Sequence, residues 1–101
     1  MNITVNSISF KADQKLHDFA VKKTGKLELF FDSIIAAEVN MKVEKPEAAN
    51  NKVVEIKLSV PNSADYLFAQ KQADSFEEGI DLCVDALKKQ LVKYKEKLRL
   101  K

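Results

Sequence analysis

A long apolar stripe occupies the C-terminal part of the chain. Over residues 74–101, apolar side chains recur at spacings of three and four, which places them on one side of an α-helix, and no proline interrupts the run. The stripe consists of Phe76, Ile80, Cys83, Val84, Leu87, Leu91, Tyr94 and Leu98. Either Asp74 or Ser75 can cap the first turn, because each has a glutamate three residues later. The pattern therefore predicts one long C-terminal helix.

A strand and a helix are predicted for the N-terminal part. Residues 2–6 alternate polar and apolar side chains, as a short strand does. Asp13 is a suitable N-cap for a helix whose apolar stripe ends at Phe31. Gly25 lies inside that stripe, at a cost of about 1 kcal/mol relative to alanine. Because the apolar spacing continues past the glycine, we expect one unbroken helix.

Three strands are predicted between the two helices. They lie at residues 34–44, 52–60 and 65–73. The first two alternate apolar and polar side chains, so each has a core face and a solvent face. The third is less regular, and we place it at an edge of the sheet, with Tyr66 and Phe68 toward the core and Lys71 toward solvent.

The predicted order of elements is β-α-β-β-β-α. A helix between the first two strands implies that they pair in parallel, whereas the two short turns imply antiparallel hairpins. The sequence thus predicts a single α+β domain over residues 1–101, with two layers, a four-stranded mixed sheet and two helices on one face. With a rise of about 1.5 Å per residue, the long helix should project past strands of about 20 Å.

The charge of the long helix reverses near its middle. Residues 88–101 carry seven basic side chains and one acidic side chain, a net charge of +6, which leaves −4 for residues 1–87. The helix macrodipole favours this order of charges, but its effect fades within one turn. Because the basic half is longer than one turn, we expect it to bind a polyanion. A merely solvated surface is the alternative.

Composition excludes several classes of protein. Cys83 is the single cysteine, so no internal disulfide can form, and we expect it to be a buried small hydrophobic residue in a reducing compartment. The longest apolar run, residues 34–37, is too short for a membrane span or a signal peptide, which favours a cytoplasmic protein. Two distant glycines and the lone His17 form neither a phosphate-binding loop nor an ordinary zinc site. We therefore predict no enzyme, cofactor, metal site or small-molecule substrate.

Lysines from both helices can line one groove if the helices lie side by side. One edge of the first helix carries Lys15, Lys22 and Lys26. We expect this edge, or Lys23 emerging from the core side, to face Lys93 and Lys97 across the groove. Tyr66 and Tyr94 are candidates for stacking on nucleobases, although Tyr94 can equally cap the core.

Four segments together resemble a known family. They are residues 26–34 (KLELFFDSI), 42–45 (KVEK), 74–81 (DSFEEGID) and 87–98 (LKKQLVKYKEKL). In this order and spacing they are similar to the ribosome hibernation promoting factor family, also called ribosome-associated inhibitor or light-repressed proteins, over essentially the whole chain. The resemblance implies the short form of that family and a fold like that of double-stranded-RNA-binding domains.

The resemblance also implies a function. It predicts a factor that binds the small ribosomal subunit in the mRNA and tRNA channel and inhibits translation under stress or in stationary phase, with ribosomal RNA as its ligand. A separate ribosome-dimerising factor is a further implied partner. The expected rRNA-binding residues are Lys23, Lys26, Lys88, Lys89, Lys93, Lys95 and Lys97, with Lys22, Lys42, Lys45 and Arg99 as additional candidates. The alternative function is a protein–protein interaction module that pairs through the long helix without binding RNA.

Overall fold

A computed structural model describes residues 1–8, 10–45, 47, 49–61 and 66–99. The strands are β1 (Asn2–Ile8), β2 (Ala36–Val43), β3 (Lys52–Ser59) and β4 (Tyr66–Ala73). The helices are α1 (Gln14–Gly25) and α2 (Phe76–Arg99), and a 3₁₀ turn (Lys26–Leu29) directly follows α1. The predicted order of elements is confirmed.

The four strands form one mixed sheet in the order β1-β2-β3-β4. β1 pairs in parallel with β2, and the other two pairings are antiparallel, as the connections predicted. Both helices cover the same face, since Ala20 of α1 and Leu87 of α2 belong to one buried core with Val39 and Ile56 of the sheet. Alternation along the strands buries Ala37, Val39 and Met41 of β2 and Val54, Ile56 and Leu58 of β3, because successive side chains of a strand point to opposite faces. Val43, at the end of β2, is half-buried.

The orientation predicted for β4 is wrong by one residue. Tyr66 is 54% exposed and Phe68 is 38% exposed, and both lie on the open face of the sheet. The register pairs Leu67 with Leu58 and Ala69 with Ile56, which are core residues of β3. Leu67 and Ala69 therefore face the helices. The edge position of β4 is confirmed.

The expectation of one unbroken first helix is also wrong. The α-helical segment ends at Gly25, and the chain continues as the 3₁₀ turn. The backbone N–H groups of Phe30 and Phe31 both donate to the carbonyl oxygen of Leu27, at 3.0 and 3.3 Å. This tighter winding buries Leu27 completely and leaves Leu29 outside the core.

The start of α2 resolves the choice between two caps. The Ser75 hydroxyl accepts a hydrogen bond from the Glu78 backbone N–H at 3.2 Å, so Ser75 is the N-cap. Asp74 instead accepts from the backbone N–H of Asn50 at 2.8 Å and ties the β2–β3 turn to this end of the helix.

The last turns of α2 project beyond the sheet, as predicted. The Tyr94 hydroxyl donates to the carbonyl oxygen of Pro61, which lies just past the end of β3. Beyond Tyr94, Glu96, Lys97 and Leu98 are exposed. The basic end of α2 therefore contacts the rest of the described domain only through the side that carries Tyr94.

Candidate nucleic-acid interface

α1 and the 3₁₀ turn that follows it run alongside α2 in the same direction. Phe10 stacks on Phe76 near the start of α2, with ring centroids 4.6 Å apart. Further along, the Phe31 ring meets the Tyr94 ring edge-on at 5.5 Å. α1 consequently lies beside the acidic half of α2, and the 3₁₀ turn lies beside its basic half.

This direction places Lys23 away from the basic half of α2. The Lys23 Nζ atom lies 5.5 Å from the centroid of the Phe19 ring and 3.5 Å from the Asp81 Oδ1 atom. The expectation that Lys23 would face Lys93 and Lys97 is therefore wrong. Its stem does run between the helices and bring the ammonium out at their edge, where a carboxylate neutralises it.

The basic half of α2 forms the main cationic surface. Lys88, Lys89, Lys93 and Lys97 are exposed and Lys95 is half-buried. Within the described part of the chain, none of these five ammonium groups has a carboxylate within ion-pair distance. Lys26 is the first residue of the neighbouring 3₁₀ turn and is exposed. Lys22, one helical turn earlier in α1, is exposed too. The side chain of Arg99 lies outside the described residues.

Two further lysine candidates lie elsewhere. Lys42 is on the open face of the sheet, opposite the helices, and its Nζ atom is 3.7 Å from the Glu44 Oε2 atom. Lys45 is exposed in the β2–β3 turn with a backbone φ of 51°. Because that turn is tied to the start of α2, Lys45 lies near its acidic end. The structure does not bring Lys42 or Lys45 to the main cationic surface.

The two tyrosines have different roles. Tyr94 is a core cap, because its ring packs on Phe31 and its hydroxyl is bonded to Pro61. Tyr66 remains accessible on the open face, where the Lys57 Nζ atom lies 5.3 Å from the centroid of its ring.

Sequence reasoning missed three apolar residues that lie among these lysines. Leu29 and Phe30 of the turn region and Val92 of α2 line a depression at the junction of the two segments. The Lys88 Nζ atom lies 4.8 Å from the centroid of the Phe30 ring. The sequence did hold a signal, since Leu29 and Val92 fall outside the helical stripes and Val92 lies within the strongly basic residues 88–101.

In the described ranges, no group of three or more histidine, cysteine, aspartate or glutamate side chains comes together to hold a metal ion. No helix of the described chain is long and apolar enough to cross a membrane. Burial raises the pKa of the Cys83 thiol to about 12, despite the nearby positive charge of Lys71, so the thiol stays neutral at ordinary pH.

The fold is a two-layer α+β domain whose long C-terminal helix carries exposed lysines over its last turns. Residues 3–99 match the family model described as sigma 54 modulation protein / S30EA ribosomal protein, and the chain belongs to that family.

Similar proteins support this assignment. The chain is 31% identical to a ribosome hibernation promoting factor of Pseudomonas putida, across 96% of this chain and 89% of the relative. It is 29% identical to the Escherichia coli ribosome hibernation promoting factor, across 98% and 96% of the two chains. A ribosomal subunit interface protein from Coxiella burnetii has the same fold, with a TM-score of 0.82, 24% identity and coverage of 95% and 99%. These relatives are named for association with ribosomes.

Proposed function

We propose that the protein is a ribosome hibernation factor that binds the small ribosomal subunit in the mRNA and tRNA channel and inhibits translation under stress or in stationary phase. The names of the relatives support ribosome hibernation as its role. The observation that carries the proposal is the main cationic surface, whose five lysines have no carboxylate partner in the described chain. This function places the protein in the cytoplasm with the ribosomes.

The cationic surface suits ribosomal RNA because phosphates are recognised by charge and position. The proposed contacts are Lys88, Lys89, Lys93, Lys95 and Lys97, with Lys22 and Lys26 at the adjoining turn. A smaller contribution is expected from Lys23 and Lys42, since Asp81 and Glu44 already lie beside their ammonium groups. Lys45 and Arg99 stay additional candidates.

Charge reversal of Lys93 and Lys97 tests the proposal. Lys93→Glu with Lys97→Glu should release the protein from small subunits in sedimentation at moderate salt. Loss of two phosphate contacts should also reduce the slope of log affinity against log salt by roughly 1.4 to 1.8. Wild-type protein is run in the same gradient with and without a separate dimerising factor. The comparison shows whether ribosome dimers form only when that factor is added.

A matched control separates the site from net charge. Lys11→Glu with Lys71→Glu makes the same change of charge at two exposed positions outside the basic half of α2. This variant should sediment with small subunits as the wild type does. Equal binding by the folded Lys93/Lys97 variant, or equal loss by both variants, would contradict the proposed site.

A protein–protein interaction module is the second candidate function. It is favoured by Val92 and Leu98, which are 44% and 40% exposed on the projecting end of α2. Light scattering at two salt concentrations separates the two functions. A salt-insensitive dimer without affinity for RNA would favour the module, whereas a monomer that binds RNA would favour the hibernation factor.

A further inference from the structure

Apolar side chains are exposed within the most basic part of the molecule. Leu29 is 82% exposed, and Val92 lies beside it at 44%. Exposed apolar area is unfavourable by about 25 cal/mol per Å² relative to burial. Leu29 points away from the core because the 3₁₀ turn directs Leu27 inward instead. Binding of a ligand with an apolar part would remove this exposure.

These side chains line a shallow depression of about 230 Å³, here termed the Leu29 groove. Its walls are formed by Leu29, Phe30, Val92, Lys95 and Glu96. A second, more open depression of about 410 Å³ adjoins it through Val92 and Glu96 and is otherwise lined by Lys88, Lys89 and Lys93. The groove therefore combines the apolar side chains of Leu29, Phe30 and Val92 with the polar side chains of Lys95 and Glu96, and further lysines line the adjoining depression.

We propose that the Leu29 groove binds an unstacked nucleobase of single-stranded or bulged RNA, while the surrounding lysines bind the flanking phosphates. The inference deepens the proposed function and rests on it, since both assign RNA to the basic half of α2. Single-stranded RNA combines a polyanionic backbone with planar apolar bases, and such bases pack on aromatic and apolar side chains. A regular duplex keeps its bases stacked inside and offers no such group.

One acidic side chain in the groove fits a base better than a phosphate. The Glu96 carboxylate would repel a phosphate but can accept a hydrogen bond from the exocyclic amino group of a base. Lys95 shares its wall and can bind the neighbouring phosphate. The groove thus separates a base position from phosphate positions along one helix face.

The geometry favours RNA over an acidic apolar peptide. A peptide helix that docks in a groove uses several anchors at helical spacing and needs an extended apolar surface. The Leu29 groove is smaller than the pockets of about 300 to 1,000 Å³ that bind drug-sized ligands, and it has room for one inserted group. In the adjoining depression of about 410 Å³, Val92 is the one hydrophobic residue among the described lining residues, and Lys88, Lys89 and Lys93 supply most of the rest, so a peptide helix would find no second apolar anchor there.

Fluorescence anisotropy of labelled RNA tests the inference. The probes are a short unstructured oligonucleotide and a blunt duplex of the same sequence, each at two salt concentrations. Leu29→Ala with Val92→Ala should weaken single-strand binding by about 4- to 60-fold, as expected when a base loses contact with one to three methylene-sized groups. Duplex affinity should change less than about twofold, and the salt slope should stay unchanged because no cation is lost.

The control is Leu82→Ala with Ile35→Ala, which shortens two other exposed apolar side chains outside the groove. It should bind both probes as the wild type does, and circular dichroism should show that both variants are folded. Wild-type affinity of the groove variant for the single strand, or equal loss on both probes, would overturn the inference. A labelled peptide of alternating glutamate and leucine that binds the groove in preference to the single strand would overturn it too.

The two proposals fail in different ways. If wild-type protein sediments with small subunits but the groove variant keeps its single-strand affinity, only the inference fails. If wild-type protein binds neither small subunits nor RNA, the proposed function fails.

Discussion

Gly79 sets the distance between α2 and the sheet, and replacing it by alanine tests how closely the two layers pack. A Cβ atom at this position would lie 2.7 Å from Val54 Cγ2 and 3.3 Å from Val54 Cβ. Non-bonded carbon atoms prefer separations of about 3.5 to 4.0 Å. Val54 is completely buried in β3 and cannot turn aside freely. α2 or the sheet must therefore move by about 1 Å to admit the methyl group.

Two opposing effects set the magnitude. Forcing one extra methyl group into a packed core costs about 1–3 kcal/mol. Alanine in a helix interior is favoured over glycine by about 1 kcal/mol, which offsets part of that cost. Gly25→Ala is the matched control, because a Cβ atom there meets only Ile3 Cδ1 at 3.8 Å, an ordinary contact, and the backbone φ is −60°. This control should therefore gain about 0.5–1 kcal/mol.

Thermal and urea unfolding of the two variants measures the difference. Gly79→Ala should be less stable than Gly25→Ala by about 1–3 kcal/mol, with about 4–8 °C in Tm for each kcal/mol in a domain of this size. In a Val54→Ala background, which removes the nearest methyl groups, Gly79→Ala should cost less than it does alone. If Gly79→Ala is as stable as Gly25→Ala, the close approach of α2 to β3 is refuted.

Two further stability predictions concern buried polar groups. The raised pKa of the Cys83 thiol means that unfolded chains release this proton above about pH 9 while folded chains keep it up to about pH 12. The free energy of unfolding should thus fall over this range more steeply than in Cys83→Ala, by up to about 1.4 kcal/mol per pH unit, as urea titrations at each pH will measure. Thr24 is fully buried and its hydroxyl has no hydrogen-bond partner among the described residues. Thr24→Val should raise the free energy of unfolding by about 1 kcal/mol in urea denaturation, and a loss of stability would show that the hydroxyl is bonded.

β4 shows where pattern reasoning fails. Its sequence offers two apolar faces, one with Tyr66 and Phe68 and the other with Leu67 and Ala69. The structure turns Leu67 and Ala69 toward the helices, and α2 lies close to this face of β4: a Cβ atom on Gly79 would lie 3.9 Å from Ala73 Cβ. Aromatic rings do not fit in so narrow a space. The choice of face therefore depends on a packing distance that the strand does not encode.

The candidate site was predictable to a similar extent. The charge reversal along α2 and the lysines of its basic half follow directly from the printed sequence. The partner of Lys23 does not, because it depends on which half of α2 lies beside α1. The Leu29 groove likewise requires the 3₁₀ turn, which replaces the last turns of the expected helix.

The sequence by itself determined the order of the elements, the α+β class and the position of the positive charge. These features arise from residues that are neighbours along the chain, since periodicity and local charge need no knowledge of the fold. Only the tertiary structure decided which face of β4 is buried, which lysines a carboxylate neutralises and which leucine is exposed. Each of these depends on the separation and direction of α1 and α2 on the sheet, and that arrangement results from close packing between segments far apart in the chain.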